Sequence, residues 1–412
     1  MANAILTPSI IAKETLAHLE NELVLAKKVN VDFSSEFVNS GDTISVRRPV
    51  RFEGQDDNLD VSSYNEDIED ANIAVQMNKT STVKFELSAT ELTLDIDNAR
   101  IQDIISSAAI KIRYKIESEL AALYTSVFHF SGTPGTRPSS FLSLATAGAH
   151  MSEMAVPLSP RCAVHSPITA ATLADSMKSL QTNRSDVKKA IEKLSLGYYG
   201  NFDNYESVHM PRHTVGVATG SPEVNGANQN VTYAASKSTN TQSLVTDGWT
   251  NSQTGIVKAG DVITLAGVFS VNPISKASTG RLQHFVVTAD ANSGSSTGPA
   301  TLTISPAIIT SGPYQTVTAA PADDATITVV TGTGGTAYDQ SLLFHKKAFL
   351  LVTRPLMIAG DAGVKTSTQS GNMTSISVTE RTDFNTLKHE FRLDTLFGTK
   401  AVYPDLAHRL TA

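Results

Sequence analysis

Residues Gly294–Gly298, GSSTG, have the form G-x-S-x-G, in which a serine on a sharp strand-to-helix turn becomes a nucleophile. Nothing after Gly298 has a helical pattern, so the spacing predicts a strand-connecting turn. His209 and His213 have an H-x3-H spacing that suits a shared metal ion, but Pro211 between them disfavours a common helical face and no cysteine pair accompanies them. Residues 331–339, TGTGGTAYD, are glycine-rich like a phosphate cradle; no Lys-Ser/Thr follows, and they read as a flexible link. The acidic run after Glu53 lacks the glycine at the sixth position and the glutamate at the twelfth that a calcium loop needs. Asn78-Lys79-Thr80, Asn230-Val231-Thr232 and Asn372-Met373-Thr374 match the glycosylation acceptor pattern, which has meaning only in a secreted chain. No catalytic, cofactor-binding or metal-binding residue is assigned, and the chain reads as a protein that is not an enzyme.

The 412 residues are 41% hydrophobic and 18% charged, enough for two or three cores. A net charge of -7 provides no broad basic surface, so nucleic acid is not expected as a direct, sequence-specific ligand. Cys162 is the single cysteine and cannot form an internal disulfide, which makes a cytosolic origin the default. The apolar stretch Ala4 to Ala12 is broken by Thr7, Pro8 and Ser9, unlike a secretory signal, and no run approaches a membrane span.

The elements that would position functional residues fall into three textures. Thr7 as cap, Pro8 in the first turn and Ile11, Leu16, Leu19, Leu23 and Ala26 at helical spacing predict an N-terminal amphipathic helix. Ile101, Ile105, Ala108, Ile112, Ile116, Leu120, Leu123 and Val127 recur every three or four residues and predict one helix from Asn98 to Phe128, about 45 Å long. Its core is expected at Ile105, Ile112, Ile116 and Leu123. Residues 161–211 read as α+β, with helices near 168–180 and 185–196. From Val217 to Asp339 the chain nearly loses its charges, and short alternating runs lie between turn clusters. This texture predicts an inserted all-β domain with Val262, Ile263, Leu265, Val268, Phe285, Val287, Leu302 and Ile304 in its core.

One stretch stands apart. Arg47, Arg48 and Arg51 are followed by Glu53, Asp56, Asp57, Asp60, Glu66, Asp67, Glu69 and Asp70, with no Lys or Arg among the acidic residues. A hairpin from Ile44 to Leu87 whose charge changes sign halfway suits a surface laid over a neighbouring molecule, because charge complementarity sets register and rejects wrong partners. All of these charged residues are expected at intersubunit contacts.

The order of these pieces resembles the tailed-bacteriophage major capsid proteins. The stretches ANAILTPSIIAKETLAHLENELVLAKKVNVDF, GDTISVRRPVRF, LGYYGNFDNYESVHMP, KAGDVITLAGVFSVNP and FRLDTLFGTKAVYPDLAHRL are similar to segments of the short-tailed (podophage) branch. The resemblance implies an α+β capsid fold with an N-terminal arm, an extended loop, a long spine helix, peripheral and apical domains, and an inserted barrel-like β-domain. It divides the chain into the arm (1–40), the extended-loop hairpin (41–90), the spine helix and peripheral domain (91–160), the first part of the apical domain (161–216), the inserted β-domain (217–339) and the apical and peripheral return with the C-terminus (340–412). Implied partners are further copies in hexamers and pentamers, a scaffolding protein, a portal protein and a decoration protein, around double-stranded DNA and with no membrane. The implied place is the virion capsid, after assembly in the host bacterial cytoplasm.

Two departures qualify the resemblance. Some relatives fuse a protease or scaffolding segment ahead of the arm, and this chain begins almost at its arm, so a separate scaffolding protein is expected. Others cross-link a loop lysine to an asparagine; Lys79 and Lys84 lie near the hairpin's end, no motif marks them, and no such role is assigned. The alternative function is a secreted carbohydrate-binding or adhesin-like protein. It would need an export signal and aromatic sugar platforms, and Trp249 is the single tryptophan.

The domain boundary is testable directly. The fragment 217–339, expressed alone, should give a sheet-rich circular dichroism spectrum and a cooperative melt. A disordered spectrum with no slowly exchanging amides would overturn it.

Overall fold

A computed structural model of the chain describes residues 8–32, 43–54, 66, 68–88, 98–178, 196–356, 364–371, 373–383 and 385–412. It divides into one unit of Met1–Ile44, Ala74–Ala121 and Phe349–Lys400, and a second of Ser45–Ile73, Ala122–Ala348 and Ala401–Ala412. No helix among the described residues is long and apolar enough to cross a membrane.

In the first unit the arm helix spans Pro8–Glu22, with proline in the first turn, where its missing N–H costs nothing. Ile11, Ala12 and Leu19 are buried, Leu16 is half-buried, and the proposed cap Thr7 lies outside the described residues. The helix packs against the spine helix and against Val364–Ser370 and Ser375–Thr382. The spine helix runs Asn98–Ala121 and then tightens into a 3₁₀ turn over Ala122–Ser126. It is therefore shorter than the sequence period implied. Ile105, Ile112 and Ile116 are buried as expected. Leu123 is only half-buried, because the tighter turn moves the inward positions to Tyr124 and Val127.

The sheet of this unit orders Phe349–Arg354, Lys388–Ala401, Ser375–Thr382 and Val364–Ser370, with Lys79–Ser88 antiparallel along the second of these. The expected single hairpin from Ile44 to Leu87 is thus divided. Thr43–Arg47 pairs with Asn72–Gln76, while Lys79–Ser88 pairs with a strand three hundred residues away in sequence. Cross-strand chemistry explains the choice: Phe85 stacks on Phe391 at 5.2 Å, Lys84 pairs with Glu390 at 2.7 Å and Lys388 with Glu86 at 2.5 Å.

In the second unit a mixed sheet orders Phe130–Ser131, Ala407–Thr411, Ala337–His345, Arg161–His165, Phe202–Glu206 and Tyr198–Tyr199, with Arg212–Thr214 also on Ala337–His345. Helix Phe141–Glu153 covers one face through Leu144, Ala147 and Met151, against Phe202, Leu343 and Leu410. Pro167–Lys178 is helical, and the helix expected at 185–196 falls almost wholly outside the described residues.

Residues 220–329 of the same unit form a six-stranded sheet ordered Ile327–Val329, Val262–Val271, Ser278–Val287, Ala300–Ser305, Gln242–Trp249 and Gly220–Val224. Its two edges meet: Glu223 bridges Thr326, and the Val224 N–H donates to Ala325 O at 3.0 Å. Ile263, Leu265, Val268, Phe285, Val287, Leu302 and Ile304 fill the core, as their alternation predicts. Val262 does not join them. It sits one residue out of phase on its strand, and with Val286 it packs against Phe128 and Phe130.

GSSTG forms the turn between Ser278–Val287 and Ala300–Ser305, as expected. The TGTGGTAYD segment is not a loose link. Val215 N–H donates to Thr336 O at 3.1 Å and Gly335 N–H to Val215 O at 3.0 Å, so the two ends of the β segment run side by side. A Cβ on Gly334 would lie 2.2 Å from Val217 O, and one on Gly216 2.4 Å from Val257 Cα, so glycine here permits close approach of backbones.

One buried charge holds the arm in the first unit. Glu117 is 1% exposed, and its carboxylate accepts the N–H groups of Val24 (2.9 Å), Leu25 (3.0 Å) and Ala26 (3.3 Å) just beyond the arm helix. Burial pushes the Glu117 carboxyl above its ordinary range, and the three N–H donors pull it back. Glu117→Ala strands three buried donors and should cost about 3 to 5 kcal/mol in denaturant unfolding. Glu117→Gln keeps an acceptor oxygen and should cost clearly less; equal losses for the two would refute the capping role.

Candidate assembly surface and buried junction

Of the residues expected at intersubunit contacts, Asp56, Asp57, Asp60 and Asp67 lie outside the described residues. Arg47, Glu53 and Asp70 are exposed, while Arg48, Arg51, Glu66 and Glu69 are half-buried. Several find partners within the chain. Arg51 donates its backbone N–H to the Tyr314 hydroxyl at 3.1 Å and places Nη2 3.4 Å from Asp405 Oδ2. Glu66 accepts the N–H groups of Glu53 (3.0 Å) and Gly54 (2.9 Å), which ties the acidic run back to the end of the basic one. The Tyr403 hydroxyl donates to Arg47 O at 2.6 Å, and Arg48 N–H to Ala71 O at 2.8 Å. Two large apolar side chains stand out among these charges, Phe52 at 59% and Ile68 at 68% exposed.

Beneath the basic stretch lies a cavity of about 180 Å³ lined by Arg48, Arg51, His129, Tyr314, Tyr403 and Asp405, among others. Tyr233 stacks on Tyr314 beside it with ring centroids 3.5 Å apart, and burial pushes the Tyr233 hydroxyl up to about 12. Lys79 and Lys84 are both engaged: Lys79 pairs with Glu119 at 2.6 Å and Lys84 with Glu390.

The deepest polar assembly joins the β segment to the rest of its unit. Asp261 is fully buried and accepts four hydrogen bonds, from His213 Nε2 (2.8 Å), Thr331 Oγ1 (3.1 Å), Gly216 N–H (2.9 Å) and Lys258 N–H (2.7 Å). The Tyr124 hydroxyl lies 3.0 Å from His213 Nδ1, so with the ring proton assigned to Nε2 the hydroxyl donates to Nδ1. Arg409, also fully buried, donates to Gly260 O (2.6 Å) and to Gln340 Oε1 (3.1 Å), with its guanidinium 5.0 Å from the Tyr124 ring centre. A tyrosine–histidine–aspartate chain resembles a proton relay, but here every member is spent on holding strands together. Both ring nitrogens of His213 are engaged by Asp261 and Tyr124, which leaves them no role in an H-x3-H metal pair. Trp249 is buried and donates its indole N–H to Thr246 Oγ1 at 2.9 Å, which removes it as a sugar platform. Among the described residues no group of three or more His, Cys, Asp or Glu is arranged to hold a metal ion.

Sequence comparison places this architecture. Residues 1–409 match the P22 coat protein family (gene protein 5). The chain belongs to the P22 coat protein family. It is a tailed-phage major capsid protein, a structural component of the virion shell that associates with its own copies, and its family is not one of enzymes. Similar solved structures include a chain of Mycobacterium phage Che8, 10% identical, covering 94% of this chain and 91% of that one with a TM-score of 0.47. The capsid of Ralstonia phage GP4 is 10% identical over 90% of this chain and 83% of that one, TM-score 0.43. The CUS-3 coat protein I-domain is 30% identical, covering 28% of this chain and 98% of that domain, TM-score 0.20. Among curated proteins none matches.

The coat protein's buried junction gave little sequence signal. All five residues of the strand AHRLT are buried, Arg409 among them, so no alternation along it marks the charge as inward-facing. Burial brings Arg409 down to about 10, while Tyr124 and Asp261 pull it upward. Removing one side of a buried charge network leaves the others uncompensated, so Asp261→Ala should cost about 3 to 5 kcal/mol. Fluorescence of Trp249, buried in the β-segment core, reports the transition in urea; an unchanged midpoint would show that the junction is not needed for stability.

Proposed function

We propose that this coat protein builds an icosahedral shell of hexamers and pentamers around double-stranded DNA, with a separate scaffolding protein directing assembly in the host bacterial cytoplasm. A portal protein at one vertex and a decoration protein on the outside complete the set of partners. The observation that carries this reading is the family match over residues 1–409. The net charge of -7 is compatible with it, since a lining that gripped phosphate strongly would hinder packaging and release.

Within this reading the segment around Arg47, Arg48 and Arg51 and the acidic residues through Asp70 lies over a neighbouring subunit. Exposed Arg47 and Glu53, with Phe52 and Ile68 beside them, supply charge for register and apolar area for adhesion. Each contact is weak and is repeated around a closed shell, so misplaced subunits can leave during growth. The β segment, tied in by Asp261 and Arg409, serves as an internal staple of the subunit.

The triple change Arg47→Glu, Arg48→Glu and Arg51→Glu tests the surface. The Arg51–Asp405 pair, 35% and 43% exposed, is worth at most about 1 kcal/mol, so the subunit should stay folded. Co-expressed with its scaffolding protein, the variant should give soluble subunits and no shells by electron microscopy. Normal shells would remove these arginines from the interface.

A further inference from the structure

Four histidines far apart in sequence converge where the β segment meets its host strands. His129 follows the 3₁₀ turn, His150 lies on helix Phe141–Glu153, His284 on Ser278–Val287 and His408 on Ala407–Thr411. The His129 and His408 rings stack with centroids 6.2 Å apart, His150 meets His408 edge-on at 5.5 Å, and His284 meets Phe130 edge-on at 6.4 Å. His408 Nε2 is 2.8 Å from Ser131 Oγ, but His408 Nδ1 and His129 Nε2 are buried without a hydrogen-bond partner among the described residues.

The charged neighbours offer a further proton no welcome. Arg281, on the same strand as His284, faces the cluster, and the carboxylate beside it, Glu153, is already paired with Arg281 at 3.1 Å. The cavity that His129 lines carries Arg48, Arg51 and Lys347 against the single carboxylate of Asp405.

We propose that these four rings form an acid-operated latch: neutral and packed at pH 7 and above, they take up protons as the pH falls and release strand Ser278–Val287 from helix Phe141–Glu153 and strand Ala407–Thr411. Burial holds His129 down to about 3 and His284 to about 4; it depresses His408 strongly and His150 as well, Arg281 adds to the effect at His150, His284 and His408, and Glu153 opposes it at His150. The sign follows. The opened state binds protons near pH 6.5 and the closed state does not, so closure is unopposed above about pH 6.5 and weakens as the pH falls toward the depressed values. Each ring that must charge on opening adds up to about a tenfold change in the opening constant per pH unit.

Amide hydrogen exchange on the full-length coat protein between pH 7.5 and 4.5, corrected for intrinsic rates, reads the latch directly. Peptides covering 282–287 and 405–412 should open more than about tenfold further per pH unit below 6.5, while 376–381 in the other unit should not follow. His165, buried beside Asn204 and held down to about 4, also resists protonation, so variants assign the effect. His150→Phe with His284→Phe keeps aromatic rings in place, and should protect the same peptides at pH 7.5 and flatten their pH dependence. If that pair fails to fold, the single His284→Gln variant replaces it and should remove up to about tenfold per pH unit. No latch-specific opening in the wild type, or an unchanged slope in the folded variants, would overturn the proposal.

Discussion

A fully buried carboxylate is tolerable only if its oxygens are satisfied, and Asp261 meets that condition with four donors from three stretches of the chain: His213 and Gly216, Lys258, and Thr331. The requirement fixes far more than one side chain. It sets where the chain enters the β segment at Gly216, where it returns at Thr331, and how closely the two passages approach. Glycines at 216 and 334 follow from it, because a Cβ at either would meet backbone atoms at 2.4 Å or less. Arg409 extends the same logic to the C-terminal strand, by donating to the carbonyl of Gly260, the residue next to Asp261.

The first unit uses a related device. Glu117 holds three N–H groups past the end of the arm helix, so the arm is placed by a directed acceptor as well as by Ile11, Leu19 and Leu23. Its sheet is tied across strands by Phe85 with Phe391 and by alternating lysine–glutamate pairs on either side. The charged residues at the coat protein's surface have the opposite character: half-exposed, individually weak and sensitive to salt.

The histidine cluster shows how one interior can hold both qualities. Aromatic packing stabilises the junction while the rings are neutral, and the same burial makes a proton costly. No pair of these histidines lies within twenty residues in sequence, so no spacing rule could have found them.

What the sequence determined was whatever repeats locally. The helical period through Ile105, Ile112 and Ile116, the strand alternation from Ile263 to Ile304, the loss of charge between Val217 and Asp339, and the turn at GSSTG all reflect burial of near neighbours, which a period of 3.6 or 2 records. Only the tertiary structure decided that Lys79–Ser88 pairs with Lys388–Ala401, that Val262 faces Phe128 and Phe130, that Leu123 leaves the core, and that Asp261, Arg409 and four histidines share one junction. These are partnerships between residues tens to hundreds apart in sequence. They are settled by complementary charge, ring contact and the satisfaction of buried donors, and none of those leaves a periodic trace along the chain.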